Sequence, residues 1–546
     1  ASFLLGPVLL GAGLVALLGS AGLADAGGRR QVLERARPLA IVLVLGSLAT
    51  LLNPAGGEPH LAYLAAGSET PSLGRVADEW TRFAPLALPA LRVPPSPLVW
   101  LLLWVLLIAT PTLVLLGLRT SNSERPRLWS RSSMDPALAG LALASLMAPL
   151  MAVRFIWLGF FPLVLAARYL RPEEAGHRSG LNTRAWVATL ATLLLVPAYF
   201  VMGPWPMISG LLPTHMAGYR TPYQTFKYHA GAVFILDDAE LQGKLFSDYY
   251  LSGFAGYWLS PRIQSFINGT LNVSPEAIAA NLPIRERRGE RPGESFTELL
   301  DRHEIDLFLG TRLPRVAPTR RPWYSTTGHL EKTQGWIPIY RNLSGAVYLR
   351  DLPRNKENLQ RITLYYESQG IPFDPEVGFD PKRVIAQRPD WAIGQMMIPT
   401  HYPLIVDSSV RNDPVVRNLA LEMLARYYTA LGERASAIRL DSSLLHATEA
   451  LDGPRRRLLY NLMREGRTEE ASEILHAIQD DPAASILARD MAATVDRLLH
   501  DEAEAGALYR MPVFSGREAV GFSTGAVGPG AREPGPWKTP EAAGLR

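Results

Sequence analysis

"MAVRFIWLGF", residues 151–160, sets one arginine in an otherwise apolar run. From Pro136 to Leu170 only Arg154 and Arg168 carry charge. As one helix this run would be about 52 Å long at 1.5 Å per residue, well beyond the ~30 Å of a hydrocarbon core. Two crossings with a turn at Met151–Arg154 fit better, and Asp135-Pro136 is a sound start for the first helix. Arg154 then sits near a membrane face. The alternative is an arginine that faces a polar cavity and grips a phosphate.

Working outward, the same length rule predicts spans at 2–23 ("SFLLGPVLLGAGLVALLGSAGL"), 38–53, 97–118 and 186–203. Six spans result. The loops between them carry Arg29, Arg30, Arg35 and Arg37, then Arg119, Arg125, Arg127 and Arg131, then Arg171, Arg178 and Arg184. All three loops fall on one side, which the positive-inside rule makes cytoplasmic. Loop 54–96 and everything after residue 203 would then lie outside. The first span would run inward from the outside, yet residue 1 already opens the apolar stretch. Further spans are therefore expected before residue 1.

A chain of 546 residues has room for about three domains. Its net charge of +4 makes no case for nucleic acid, and its basic residues cluster beside apolar runs. The absence of cysteine excludes disulfides, zinc-thiolate and iron–sulfur sites, and a cysteine nucleophile. No cofactor is expected.

After residue 203 the composition turns ordinary. Residues 226–269 read as a short α/β unit: helix at Ala230–Asp238, strand at Lys244–Ser247, helix at Tyr250–Leu259, strand at Ile263–Ile267. "FTELLDRHEIDLFLG" (296–310) repeats helix-to-strand, and 336–351 predicts two strands about a turn at Asn342–Gly345. The alternation implies a small, mostly parallel sheet flanked by helices. A mixed segment, 352–411, follows. Then "ARYYTALGERASAI" and "LMREGRTEEASEIL" each show helix–Gly–helix, the tetratricopeptide pattern, within 412–505. A generic helical cap is the bland alternative. The end, 506–546, is Gly/Pro-rich and without periodicity. Such a tail keeps one conformation only by lying on something else, which hints at a partner protein.

Several stretches in order, "LATLLNPAG" (48–56), "ADEW" (77–80), "RFIWLGFFPLVLA" (154–166), "AGAVFILDDAELQGKLFSDYYLSGFAGYWL" (230–259) and "ELLDRHEIDLFLG" (298–310), resemble a group of bacterial polytopic membrane proteins. That group is related to the GT-C glycosyltransferases, the protein O-mannosyltransferase-like architecture. The resemblance covers roughly 38–350. It implies an Asn-Pro-aromatic-Gly motif after a span, an acidic-Trp motif in the next outer loop, an arginine before an Ile-Pro-rich span, and an outer α/β domain with helical repeats. GT-C enzymes use a polyprenyl-phosphate-linked sugar donor and an acidic residue of the first external loop. Here the motif's aromatic is Ala55, and "INGT" (267–270) has Asn268 and Thr270 where the group commonly has Asp and Arg.

Candidate chemistry is thin. Loop 54–96 holds Glu58, His60, Glu69, Asp78 and Glu79, any of which can serve as a base or cation ligand or as an ordinary solvated loop charge. His215, His229, His303, His329 and His401 show no HxH or HExxH spacing. "GFAG" (253–256) lacks the full phosphate-loop pattern. Asn268, Asn272 and Asn342 head formal glycosylation sequons, and Arg455–Arg457 reads as a solvated helix face.

The fold class expected is thus multi-domain. It comprises a six-span α-helical transmembrane bundle (1–203), a periplasmic α/β domain (204–351), a mixed segment (352–411), TPR-like helices (412–505) and an extended tail (506–546). The favoured function is an integral scaffold or accessory subunit in a bacterial inner membrane, with its C-terminal domains periplasmic. Its partners would be the lipid bilayer and other membrane or periplasmic protein subunits. The alternative is a GT-C-like transferase acting on a polyprenyl-phosphate lipid, with Arg154 near the donor phosphate and Asp78 or Glu79 as acid/base or metal ligand. A transporter is a distant third, since no other charge interrupts the spans.

Overall fold

The computed structural model describes residues 2–22, 26–51, 86, 97–121, 135–151, 153–170, 228–267, 273–313, 325–447, 452–500, 502–515 and 518. The chain divides into two compact units, Ala1–Leu212 and Pro213–Arg546.

Unit 1 contains α1 (Ser2–Ala21), α2 (Ala26–Ala49), α3 (Pro97–Ser121), α4 (Pro136–Met151) and α5 (Phe160–Leu170). A 3-10 helix, Val153–Gly159, links the last two and carries the backbone of Arg154. Asp135 starts α4 as the sequence suggests, accepting from the Ala137 amide at 3.1 Å. Small residues let α1 and α4 cross closely: a Cβ on Gly140 would lie 2.4 Å from Ala16 Cβ and 2.6 Å from the Ala12 carbonyl oxygen. Leu103 and Leu146 pack together in one apolar cluster, Ala148 and Leu158 in another.

Among the described residues, no helix is long and apolar enough to cross a membrane. The physical reason differs by helix. Helices α4 and α5 have 16 and 11 residues. The first half of α2 carries Arg29, Arg30, Glu34, Arg35 and Arg37. The expected six-span transmembrane bundle is therefore corrected, and with it the placement in a bacterial inner membrane with periplasmic C-terminal domains. The span expected at 186–203 lies outside the described residues.

Unit 2 opens with α6 (Ala230–Asp238), β1 (Gly243–Phe246), α7 (Ser252–Leu259), β2 (Ile263–Ser265), α8 (Pro275–Glu286), α9 (Phe296–Arg302), β3 (Leu307–Thr311), β4 (Trp336–Arg341) and β5 (Gly345–Arg350). Two of these helix starts have a local cause. Ser274 caps α8 ahead of Pro275, and Ser295 with Glu298 forms a capping box on α9. The sheet order is β2-β1-β3-β5-β4. β1 runs parallel to β2 and β3, whereas β5 is antiparallel to both β3 and β4. The sheet is therefore mixed rather than mostly parallel. The turn at 342–345 is too short for a crossover, so β4 and β5 must pair as a hairpin. Asn342 holds that turn by accepting from the Ser344 and Gly345 amides at 2.9 and 2.7 Å, buried at 2 % exposure. Its sequon is thereby occupied by a structural role.

Next come α10 (Lys356–Ser368), α11 (Pro381–Gln387), α12 (Pro389–Gly394) and α13 (Tyr402–Ser409). Ile362, Tyr366 and Val384 in this stretch belong to the same core as the sheet. The helical region follows as α14 (Pro414–Leu431), α15 (Arg434–Ala447), α16 (Asp452–Glu465), α17 (Thr468–Gln479) and α18 (Ile486–His500). Gly432 and Gly466 take φ of 82° and 72°, the left-handed cap that only glycine adopts without strain, so each helix pair reverses there. One apolar cluster runs from Ala232 through the sheet and these hairpins to Phe514.

Candidate functional site

Two buried polar clusters stand out in unit 2. The first lies at the carboxyl ends of β1 and β3, where open α/β sheets admit ligands. Asp248 follows β1 by two residues, and Thr311 closes β3 with Arg312 next to it. The parallel register, Phe246 opposite Phe308, brings the two strand ends side by side. Thr311 Oγ1 donates to Asp248 Oδ2 at 2.6 Å. Arg285, near the end of α8, places Nε 3.5 Å from Asp248 Oδ1, and Arg312 Nε lies 3.5 Å from Oδ2. Arg312 also stands over the Tyr250 ring at 5.4 Å.

His229 completes the corner. It precedes α6 in the left-handed region, φ 48°. Gly345 pairs with Thr311, and a Cβ on Gly345 would meet His229 Nδ1 at 2.8 Å. A larger residue there would displace the imidazole. The electrostatics follow from burial and charge. Burial pulls His229 down to about 4 despite the attraction of Asp248. Burial opposes the charge on Asp248, but Arg312, Arg285 and the Thr311 hydroxyl outweigh it and hold the carboxyl below its ordinary range. Tyr250 is raised, by burial first and by Asp248 next.

The second cluster centres on Glu331, which receives the guanidinium groups of Arg341, Arg434 and Arg464. Arg341 also donates to the Ala430 carbonyl at 3.2 and 2.8 Å and to the Thr327 carbonyl at 3.1 Å. Arg464 donates to Tyr460 Oη and the Gly328 carbonyl, and Arg434 to Glu465 at 3.0 Å. The contacts join the sheet and the loop before it to α14, α15 and α16. A small crevice lies beside them, lined in part by Ser325, Thr429 and Tyr460.

The C-terminal segment supplies a correction. Arg456 and Arg457 are buried at 3 % and 0 % exposure, so the arginine run is not a solvated face. Arg457 Nη2 pairs with Asp441 at 2.6 Å. Arg456 donates to the carbonyls of Pro512 and Val513 at 3.0 and 2.8 Å and to Glu518 at 3.0 Å. Residues 511–515 thus lie on the chain's own helices, with Met511, Val513 and Phe514 in the core. The partner hint drawn from an ordered tail loses its basis over this stretch.

Of the residues singled out by sequence, Asp78 and Glu79 lie outside the described residues, as do Glu58, His60, Glu69, His215, Asn268 and Asn272. Arg154 is placed in its 3-10 helix by the backbone. "GFAG" falls within α7 rather than in a loop. The histidines do not converge. His329 is buried, pulled down to about 3, and its Nε2 lies 2.9 Å from the Arg285 carbonyl; His401 Nε2 lies 3.1 Å from Tyr427 Oη. Among the described residues no group of three or more His, Cys, Asp or Glu is placed to hold a metal ion. Asp248, Arg285, Thr311 and Arg312 were missed. The signal was Asp248 and Arg312 each falling just past a predicted strand. No family model, curated protein or solved structure matches the chain.

Proposed function

We propose that the chain is a scaffold or accessory subunit that works by holding other proteins. The observation that supports this reading is the outward face of α2, where Ile41, Val42, Val44, Leu45 and Leu48 are 48–61 % exposed. A row of half-exposed aliphatics on one helix exceeds the scattered apolar residues of an ordinary surface. Covering these five would contribute on the order of 5 kcal/mol before the cost of association. The occupant that suits them is an apolar helix of another protein. Unit 2 adds a smaller apolar corner at α13–α14, with Leu404, Val410, Val415 and Leu419 exposed.

The test places a photo-crosslinking residue at Val44 in cells and pairs it with Val44→Asp/Leu48→Asp. The expected outcome is one stoichiometric crosslinked protein, lost in the double variant while unit 2 melts as in wild type. A chain that light scattering shows to be monomeric, with no crosslink from position 44, would refute the reading.

A further inference from the structure

The helical hairpins of unit 2 stack in chain order, α13 on α14 and so on to α18. The two outer layers are finished differently. At the far end α18 turns Arg489, Asp490, Arg497 and His500 outward, with Ile486 the one large aliphatic exposed there. That is the polar cap a free-standing stack of hairpins needs. At the near end the inner face of α13 is fastened to α14. Ile405 is buried, Tyr402 stacks on Tyr427 at 6.2 Å, and His401 Nε2 lies 3.1 Å from Tyr427 Oη. The rest of α13 and the start of α14 expose Leu404, Val406, Val410, Val415 and Leu419, at 39–79 %. A layer fixed on one side and apolar on the other has the make-up of an inner layer without its neighbour.

We propose that a second copy of this chain covers this layer, α13–α14 against α13–α14 about a two-fold axis. The proposal rests on the reading of this corner as a protein-holding surface and names its occupant. Polarity chooses the contact. The apolar end matches its own kind and not the charged α18 end, so the pair closes instead of growing head-to-tail into a filament. Charge chooses a copy over another partner. Asp407, Arg411, Asp413 and Arg417 rim the corner, all exposed and none in an ion pair among the described residues. Two acids and two arginines cancel, and a two-fold axis lets the arginines of one copy meet the acids of the other. A partner rim of a single sign would meet repulsion from half of these charges. Five aliphatics and four charges fall well short of the roughly 20–30 residues a side of a standard interface. The dimer is therefore weak, with a Kd on the order of 10–100 µM.

The experiment follows the full chain carrying Val44→Asp/Leu48→Asp, which silences the α2 face, by sedimentation equilibrium from about 1 to 500 µM. The expected result is a monomer–dimer equilibrium within that range and nothing larger. Adding Val415→Asp/Leu419→Glu should weaken it about 100-fold, since a two-fold interface counts each substitution twice. Both positions are exposed, and a carboxylate in the first turn of α14 suits the helix, so the fold should stand. Arg417→Glu and Asp407→Lys should each weaken self-association about 10-fold, and the two chains should pair when mixed. A monomer at the highest concentration overturns the proposal. So does growth beyond the dimer, or Val415→Asp/Leu419→Glu keeping the parent affinity. If that variant does not fold, the mixed Arg417→Glu and Asp407→Lys chains decide: pairing supports the proposal, and none overturns it. A monomeric chain that crosslinks from Leu404 to a different protein overturns the second copy and leaves the protein-holding reading intact. A dimer in this background, with no crosslink from Val44 in the parent chain, supports the second copy while the α2 reading falls.

Discussion

Asp248, buried, and Glu331, partly buried, are both carboxylates ringed by arginines in the same unit, yet they are built to different ends. Around Glu331 three guanidinium groups reach the carboxylate, and each has a second fixed acceptor: the Ala430 and Thr327 carbonyls for Arg341, the Gly328 carbonyl for Arg464 and Glu465 for Arg434. Around Asp248 the two arginines stay at 3.5 Å, and the contact made at hydrogen-bond length is the Thr311 hydroxyl at 2.6 Å. The difference teaches how to read a buried arginine. Donors spent on several fixed acceptors mark a fastening between elements, whereas at Asp248 the arginines hold the carboxylate at longer range and Arg312 also engages Tyr250.

The largest effect should come from breaking the fastening. Glu331→Ala leaves Arg341, Arg434 and Arg464 without their shared carboxylate, and unfolding in urea should show a loss of about 4 kcal/mol. An unchanged midpoint would mean that the carbonyls alone suffice, and the contrast between the clusters would fail.

Acid probes both clusters at once, since His229 lies in one, while His329 contacts the Arg285 carbonyl of that cluster and feels the charge of Arg464 from the other. Both have folded pKa values lowered from 6.5, to about 4 and about 3. The unfolded chain therefore binds more protons between those values and 6.5, so stability is full above pH 6.5 and falls as pH drops. Each should cost about 3 kcal/mol by pH 4 or just below. Asp441, pushed up to about 6 by burial despite Arg457, works in the opposite sense, because the folded form then binds the extra proton. Unfolding free energies at pH 7 and pH 4 measure the balance, and His329→Phe should flatten the profile if the variant folds. A stability that rises from pH 7 to pH 4 would show that neither imidazole is buried in solution, since only the Asp441 effect would then remain.

Arg456→Met comes next. It keeps much of the apolar stem but removes the donors to Pro512, Val513 and Glu518. A loss of about 2–3 kcal/mol is expected, with new protease cleavage near residues 511–515 as the specific readout. Intact digestion kinetics would show that Phe514 and its neighbours hold the segment unaided.

The smallest effect sharpens the comparison most. Arg285→Gln should change stability by less than about 1 kcal/mol, since it removes a cation that makes no close hydrogen bond to Asp248 and relieves its repulsion with Arg312. A loss as large as that of Glu331→Ala would make Arg285 another fastener.

What could be seen in the sequence was what depends on neighbours along the chain. The helix and strand order of 230–350 follows from local periodicity, and the Asn342 turn from its own residues. What escaped depends on distance. The sheet is mixed because a short hairpin folds β5 against β3, a pairing that no local pattern states. Arg456 and Arg457 looked solvated because their partners, Glu518 and Asp441, come from other elements. The Asp248 corner draws residues from 229, 248, 285 and 311–312, which meet only once the β1–β3 register is set. In unit 1, hydrophobicity alone suggested spans, while α4 and α5 are short and α2 carries charge over its first half. The sequence candidates Asp78 and Glu79 lie outside the described residues and so outside this comparison.

The packing of Met511, Val513 and Phe514 into a core that begins at Ala232 sets a timetable for biosynthesis. A nascent chain cannot close that core until these residues have left the ribosome. At translation rates of about 5–20 residues per second, the wait after Ala232 is roughly 15 to 60 s. Throughout that interval the incomplete helical hairpins remain a target for chaperones, and for proteases if synthesis stalls.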